Sequence, residues 1–332
     1  MAEWLIEQGI GEERAIRLDH GAIIAARTHW PGTLAAGQVE DAVLVSRTTG
    51  SARGTARFAN GEEALVDRLP RNASEGARLR LKVTRAAIGE VGRAKLAQAR
   101  PADEPLRPAP SLAEMLRQEG HDVRLVHRFP VDGPRDGPVD GWDELVADAF
   151  TMRMEFAGGA LHLAPTPAMT LVDVDGTLPP RELALAAIPS IASAIALFDL
   201  AGSIGIDFPT FAARADRRGV DEMLAQVLAG WPHERTAMNG FGFVQLVSRL
   251  ERPSLIHRIA RSPAAAGARL LLRRAEAVVA PGRLLLTAHP AVVAAVPPPW
   301  RDELARRAGR PIAWAEDPAL ALEAGFAQAV QP

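Results

Sequence analysis

Asp173, Asp175 and Asp207 are the residues whose types and spacing point to chemistry. In Leu171-Val172-Asp173-Val174-Asp175-Gly176, the two-residue period of a strand puts Asp173 and Asp175 on one face and Val172 and Val174 on the other. Asp207 closes a second apolar run that begins at Ser203, and an apolar, helix-length stretch from Arg181 to Phe198 separates the two. Strand, helix and strand in that order predict parallel pairing with a right-handed crossover. Both strands then finish at the same sheet edge, which is where open α/β sheets bind ligands. Carboxylates crowded there repel one another unless a proton or a cation intervenes. Magnesium, or manganese in its place, fits such a group: it takes one or two carboxylates, several waters and substrate phosphate oxygens. An ion so held polarises a phosphodiester and acidifies a bound water. The bland alternative is that each Asp merely caps a strand end or the helix that follows.

The elements that must position these acids are legible on either side of them. Residues 3–30 read as a β-meander: Trp4 to Ile6, Glu13 to Leu18 and Ala22 to Arg27 are short apolar runs, punctuated by Gly9-Ile10-Gly11 and Asp19-His20-Gly21. Residues 38–100 hold four strand-length runs, Val39 to Ser46, Gly54 to Phe58, Glu63 to Asp67 and Arg78 to Arg85, and this spacing suggests a small barrel such as an OB-fold. Arg78, Arg80 and Lys82 alternate with apolar residues, so three cations share one strand face that either tracks phosphates or is simply solvated. Phe58, with Arg53 and Arg57 nearby, reads as a base-stacking platform or as barrel core. Residues 101–110 form a Pro-rich linker, and Ser111 with Glu114 makes a capping box for a helix over 111–119. Val123 to Phe129 reads as a strand, 132–141 as a loop and Trp142 to Phe150 as a helix. Beyond the acids, Val220 to Ala229 and Ala265 to Val279 read as helices and Gly240 to Arg249 as a strand. Leu284 to Thr287, Pro299 to Ala308 and Pro311 to Ala315 read as a small terminal α/β unit. Arg269, Arg273 and Arg274 read as a solvated helix face or as contacts to RNA or a partner, and His289 as a turn or strand-end residue.

Bulk composition narrows the class. The 332 residues are 48% hydrophobic, with a formal charge of −2, which predicts a packed globular protein of two or three units. The charge is unevenly spread: residues 101–200 carry 16 acidic groups against 7 basic ones, while both flanks lean basic. An acidic centre suits a cation, and basic flanks suit a phosphate backbone. There is no cysteine, which excludes a thiol nucleophile, disulfides and thiolate-bound zinc. No uninterrupted apolar run of about 18 residues predicts a membrane span, and the first residues lack a basic, then apolar, leader. A cytoplasmic protein without membrane association is therefore expected, and its oligomeric state is not legible.

Two resemblances bear on the acids. Asp173-Val174-Asp175-Gly176-Thr177-Leu178 is similar to the first motif of haloacid-dehalogenase-type phosphatases. That chemistry also uses a downstream Lys or Arg and a late acidic motif, and Lys82 and Lys95, the only lysines, both lie upstream. A longer resemblance is to the RNase E/G family. Gly158-Gly159-Ala160-Leu161-His162-Leu163-Ala164-Pro165-Thr166 followed by Thr170-Leu171-Val172-Asp173-Val174-Asp175-Gly176 resembles the family's Gly-Gly turn and its Ala-Ile-Asp-Val-Asn-Ser strand. Asp199-Leu200-Ala201-Gly202-Ser203-Ile204-Gly205-Ile206-Asp207-Phe208 resembles its Asp-Leu-Gly-Gly-Ile-Ile-Ile-Ile-Asp-Phe, and Phe241-Gly242 and Arg252-Pro253-Ser254-Leu255 follow in order.

This resemblance implies an α/β (α+β) chain of several units. Residues 1–37 with 123–150 would be RNase H-like, 38–100 an inserted OB-fold barrel that binds RNA, 151–260 a DNase I-like catalytic unit and 261–332 a small terminal unit. Residues 101–122 stand where the family carries the Arg-Thr-Ala-Gly segment that grips a 5′-monophosphate. It implies that Asp173 and Asp207 bind magnesium and that Asp175 stands for the assisting Asn. The implied activity is endoribonucleolytic hydrolysis of single-stranded RNA leaving 5′-phosphate ends, with Arg53, Arg57, Phe58, Arg78, Arg80 and Lys82 as the barrel's RNA contacts. The family's zinc link between protomers is not expected without cysteine. Its polar helix residues are replaced by Ala184, Ala186 and Ala187, and its His and Arg before Phe-Gly by Ala237 and Gly240. An RNA-binding protein of the same fold with little or no cleavage is the rival reading.

Overall fold

A computed structural model describes residues 3–90, 93–129 and 141–331. The meander forms as its apolar alternation dictates: β1 (Trp4–Gly9), β2 (Glu12–Asp19) and β3 (Ala22–His29) pair antiparallel. Gly11 turns the first hairpin at φ 71°, and a side chain there would strike the ring of Trp300. The chain then closes a five-stranded barrel from β4 (Val39–Arg47), β5 (Gly54–Arg57), β6 (Glu63–Val66), β7 (Arg78–Arg85) and, after the short hairpin of β8 (Ile88–Glu90) and β9 (Arg93–Lys95), β10 (Ala97–Pro101). Four strand-length runs were legible in this region, and β10 is the strand that closes the cylinder, parallel to β6 and antiparallel to β7. Alternate residues such as Leu44, Ala56, Ala64, Leu81 and Ala99 fill its centre. Phe58 belongs to this core at 3% exposure, which corrects its reading as a stacking platform.

The Pro-rich segment is strapped to the barrel: Arg107 pairs with Val39, and Glu104 accepts from Lys82 at 2.7 Å. Helix α1 (Leu112–Gln118) starts at Ser111 with the capping box from Glu114 that the sequence predicts. Strand β11 (Val123–Val126) then adds parallel to β1, giving a four-stranded sheet of order β11-β1-β2-β3. The loop expected over 132–141 lies, except for Gly141, outside the described residues. Helix α2 (Gly141–Thr151) follows.

The next sheet carries the acids. Strands β12 (Arg153–Phe156), β13 (Gly159–Pro165) and β14 (Thr170–Gly176) run antiparallel. Helix α3 (Pro180–Leu197) crosses over to β15 (Ser203–Asp207), which is parallel to β14 as expected. Helix α4 (Arg214–Val227), β16 (Glu234–Arg235) and β17 (Phe243–Val247) complete a six-stranded sheet of order β12-β13-β14-β15-β17-β16. The predicted helix began at Val220 because the first turns of α4 are polar and lack a side-chain cap, so the apolar period starts only there. By length and composition α3 would suit a membrane span. Its buried residues, among them Leu183, Ala187, Ile188 and Ile191, instead share one core with Val172, Ile204 and Ile206 of its own sheet and with Leu5 and Ile16 of the meander.

Helix α5 (Leu255–Arg261), capped by Ser254, leads into α6 (Pro263–Glu276). Strand β18 (Arg283–Ala288), α7 (Pro290–Ala294), α8 (Pro298–Ala308), β19 (Ile312–Glu316) and β20 (Phe326–Val330) make the terminal unit, a three-stranded sheet of order β19-β18-β20. His289 caps α7 by accepting from the Ala291 amide at 3.1 Å, in keeping with a turn residue. The face of α6 read as solvated is buried: Arg269 and Arg273 are 9% and 3% exposed. Arg269 lies over Trp30 and Trp300 and donates to the Gly11 carbonyl; Arg273 pairs with Glu7 and Asp143, and Arg274 with Asp143. These three arginines therefore fasten the terminal unit to the meander and α2 rather than facing RNA.

Candidate functional site

Strand register assembles a row of side chains across the third sheet. Arg153 pairs with His162, His162 with Asp173, Asp173 with Asp207, and Asp207 with Phe243. All five lie on one face, because Leu161, Val172, Ile206 and Val244, their neighbours in sequence, point into the core beneath α3. Asp173, Asp175, Asp207 and His162 are exposed on the open face. Among the described residues neither Asp173 nor Asp207 has a hydrogen-bond or ion-pair partner. Paired positions on neighbouring strands lie roughly 5 Å apart, so one divalent cation is within reach of both carboxylates.

The three-carboxylate cluster expected from the sequence is not formed. Asp175 lies two residues beyond the row, and its Oδ1 accepts from the adjacent Gly176 amide at 2.9 Å. Among the described residues no group of three or more His, Asp and Glu side chains is arranged to hold a metal. What the fold supplies is a pair, with His162 beside it. His162 was missed in the sequence, although the signal was there. The four-residue turn from Thr166 to Met169 sets the β13–β14 register at Pro165 opposite Thr170, and counting back from it places His162 against Asp173.

The barrel cations present a different picture. Arg53 pairs with Asp67 at 2.9 Å, Arg57 with Glu63 at 2.8 Å, Arg80 with Asp41 at 2.9 Å and Lys82 with Glu104 at 2.7 Å. Arg78, Arg80 and Lys82 do share the outer face of β7, and of these five cations Arg78 alone has no hydrogen-bond or ion-pair partner among the described residues. Exposed pairs of this kind are weak, because solvent screens them and ordering two long side chains costs entropy.

Two motif residues singled out with the strands are structural. Asp199 sits at φ 51° after α3 and takes a two-pronged bond from Arg252 at 2.7 and 3.3 Å, with Arg27 at 3.4 Å. Burial alone would raise the Asp199 pKa, but Arg252 and Arg27 outweigh it and hold the carboxyl below its ordinary range. Asp199 and the Arg252-Pro253 turn thus clamp the start of β15 to the segment entering α5. No family model matches this chain, and no curated protein matches it.

Proposed function

We propose that this chain is a magnesium-dependent endoribonuclease of the RNase E/G type, acting on single-stranded RNA and leaving 5′-phosphate ends. The observation that carries the reading is the pairing of Asp173 with Asp207 on adjacent parallel strands, on an open sheet face. Two exposed carboxylates at one register are a donor set that suits magnesium, which keeps most of its waters. When bound, the ion would supply an activated water and polarise the phosphodiester. Asp173 and Asp207 would hold it, while His162 stands within the same row to bond a phosphate oxygen or a water.

Further support comes from the barrel. Its closed five strands, in the order β10-β6-β5-β4-β7 with β6 parallel to β10, make an OB-like barrel, a frame suited to single strands. The RNase H-like and DNase I-like assignments of the other two sheets rest on the sequence resemblance. The rival reading, an RNA-binding protein of the same fold with little cleavage, is favoured by one specific observation: Asp175 is turned to Gly176 and supplies no third ligand. The phosphatase reading has less support, since Lys95 donates to the Pro167 carbonyl and Lys82 to Glu104, leaving no lysine for the acids.

The test is cleavage of labelled single-stranded RNA with and without magnesium. Asp173→Asn and Asp207→Asn should each abolish metal-dependent cleavage and keep the fold, because an amide is a neutral and poorer ligand. Magnesium at about ten times its dissociation constant should stabilise the native protein by about 1.4 kcal/mol, and each variant should lose that gain. RNA binding with no cleavage and no magnesium effect on melting would leave the rival reading standing.

A further inference from the structure

The chain has no tyrosine, and the barrel's own aromatic side chain, Phe58, lies in its core at 3% exposure. The barrel surface therefore offers cations but no ring on which a base could stack. One aromatic elsewhere is set out in water: Phe241 is 79% exposed, against 41% for Phe326, the next most exposed phenylalanine among the described residues. A ring left this open forfeits the hydrophobic gain that burial would bring.

Phe241 is nonetheless held in a well-bonded turn. The Asn239 Oδ1 accepts from the Phe241 amide at 2.9 Å and from the Phe243 amide at 3.1 Å, and the Asn239 amide donates to the Phe243 carbonyl at 3.0 Å. Gly242 follows at φ 91°, so close to the chain leaving β15 that a side chain there would meet the Phe208 and Pro209 carbonyl oxygens at 2.6 and 2.9 Å. Its own carbonyl accepts from the Phe208 amide at 3.3 Å. The turn thus borders the carboxylate row: Phe243 pairs with Asp207, and Phe241 is two residues, at most roughly 7 Å of chain, before Phe243. The sheet beside Asp207 is apolar as well. A side chain at Gly205 would meet the Phe243 Cζ at 2.5 Å and the Met169 Sδ at 2.7 Å, so the half-buried ring and thioether lie over the bare strand on the open face.

We propose that Phe241, Phe243 and Met169 form a base-stacking subsite beside the Asp173–Asp207 pair, for one nucleobase adjoining the phosphodiester held there. Phe241 supplies the exposed ring, and Phe243 with Met169 the floor. The subsite rests on the reading of the pair as the site of a single-stranded RNA, and it adds the residues that grip that strand through a base. Stacking tolerates any base, because each has a π-face, and a ring fixed before binding loses little freedom when the base arrives. It is also uncharged, so it adds affinity next to two carboxylates that repel the phosphate backbone.

Fluorescence anisotropy in EDTA tests it on full-length Asp173→Asn protein, so that no cleavage intervenes. The probes are a labelled single-stranded RNA decamer and a decamer of the same ribose-phosphate backbone without bases. The RNA should bind more tightly than the abasic strand. Adding Phe241→Leu should weaken the RNA by at least about fivefold and leave the abasic strand unchanged, whereas Phe241→Trp should keep the RNA affinity. RNA affinity untouched by Phe241→Leu, an equal loss for the abasic strand, or no binding of either strand would each overturn the subsite. Magnesium-dependent cleavage by the unaltered protein, measured alongside, judges the nuclease reading separately. Base-dependent binding through Phe241 without cleavage would keep the subsite and favour the RNA-binding rival.

Discussion

At position 29 the fold buries an imidazole beside two guanidinium groups. Burial first, then Arg258 and Arg252, push the His29 pKa from its ordinary 6.5 down to about 4. Between those values the unfolded chain binds the proton and the native chain does not. The stabilising contribution is therefore complete above about pH 6.5 and is lost as pH falls toward 4, amounting to roughly 3 kcal/mol. His29→Gln should flatten that part of the stability profile, which denaturant unfolding at stepped pH would measure. A profile as steep as the parent's would mean that carboxylates alone cause the acid loss. The acids of the carboxylate row are exposed, and what joins them is strand register.

Helix α6 shows how an element can mislead in sequence. Its arginines recur at positions that look solvated, yet Arg273 is buried against Glu7 at 3.0 Å, and Glu7 also faces Arg14 at 2.9 Å and accepts from the Phe129 amide. Removing Arg273 leaves Glu7 with Arg14 and Asp143 with Arg274, each one partner short. Arg273→Ala should thus cost about 1.5–3 kcal/mol, read as a lowered urea midpoint. Its partners lie far away in sequence, which is why local pattern did not reveal it. Elements whose signal is local were legible: the capping box of α1, the alternation of β7 and the strand–helix–strand around α3. Those set by distant pairing were not. Strand β20, with its Ala-rich Phe326–Val330, carries little alternation of its own and exists through its ladder with β18. Within the site, the pairing of Asp173 with Asp207 followed from topology; elsewhere, a cleft between the barrel, the end of β3 and α5 joins three distant segments and left no local trace.

On the scale of the whole molecule, the terminal unit is not an appendage. Ile10 of the first hairpin packs in its core, Trp300 covers Gly11, and Arg269 bridges Trp30 to Trp300. A chain ending at Ser262 should expose Ile10 and Trp30 and leave Glu7 short of a partner. Dye binding to exposed apolar surface, together with early melting, would show this; a truncated chain as stable as the parent would refute it. The same fastening has a consequence for biosynthesis. Glu7 and Arg273 are 266 residues apart, so at about 5–20 residues per second the ribosome needs roughly 13–50 s to deliver the second after the first. During that interval the nascent meander already contains Arg14, which can hold Glu7 in a provisional pair. Of the two arginines on Glu7, Arg14 is thus synthesised at once and Arg273 only near the end.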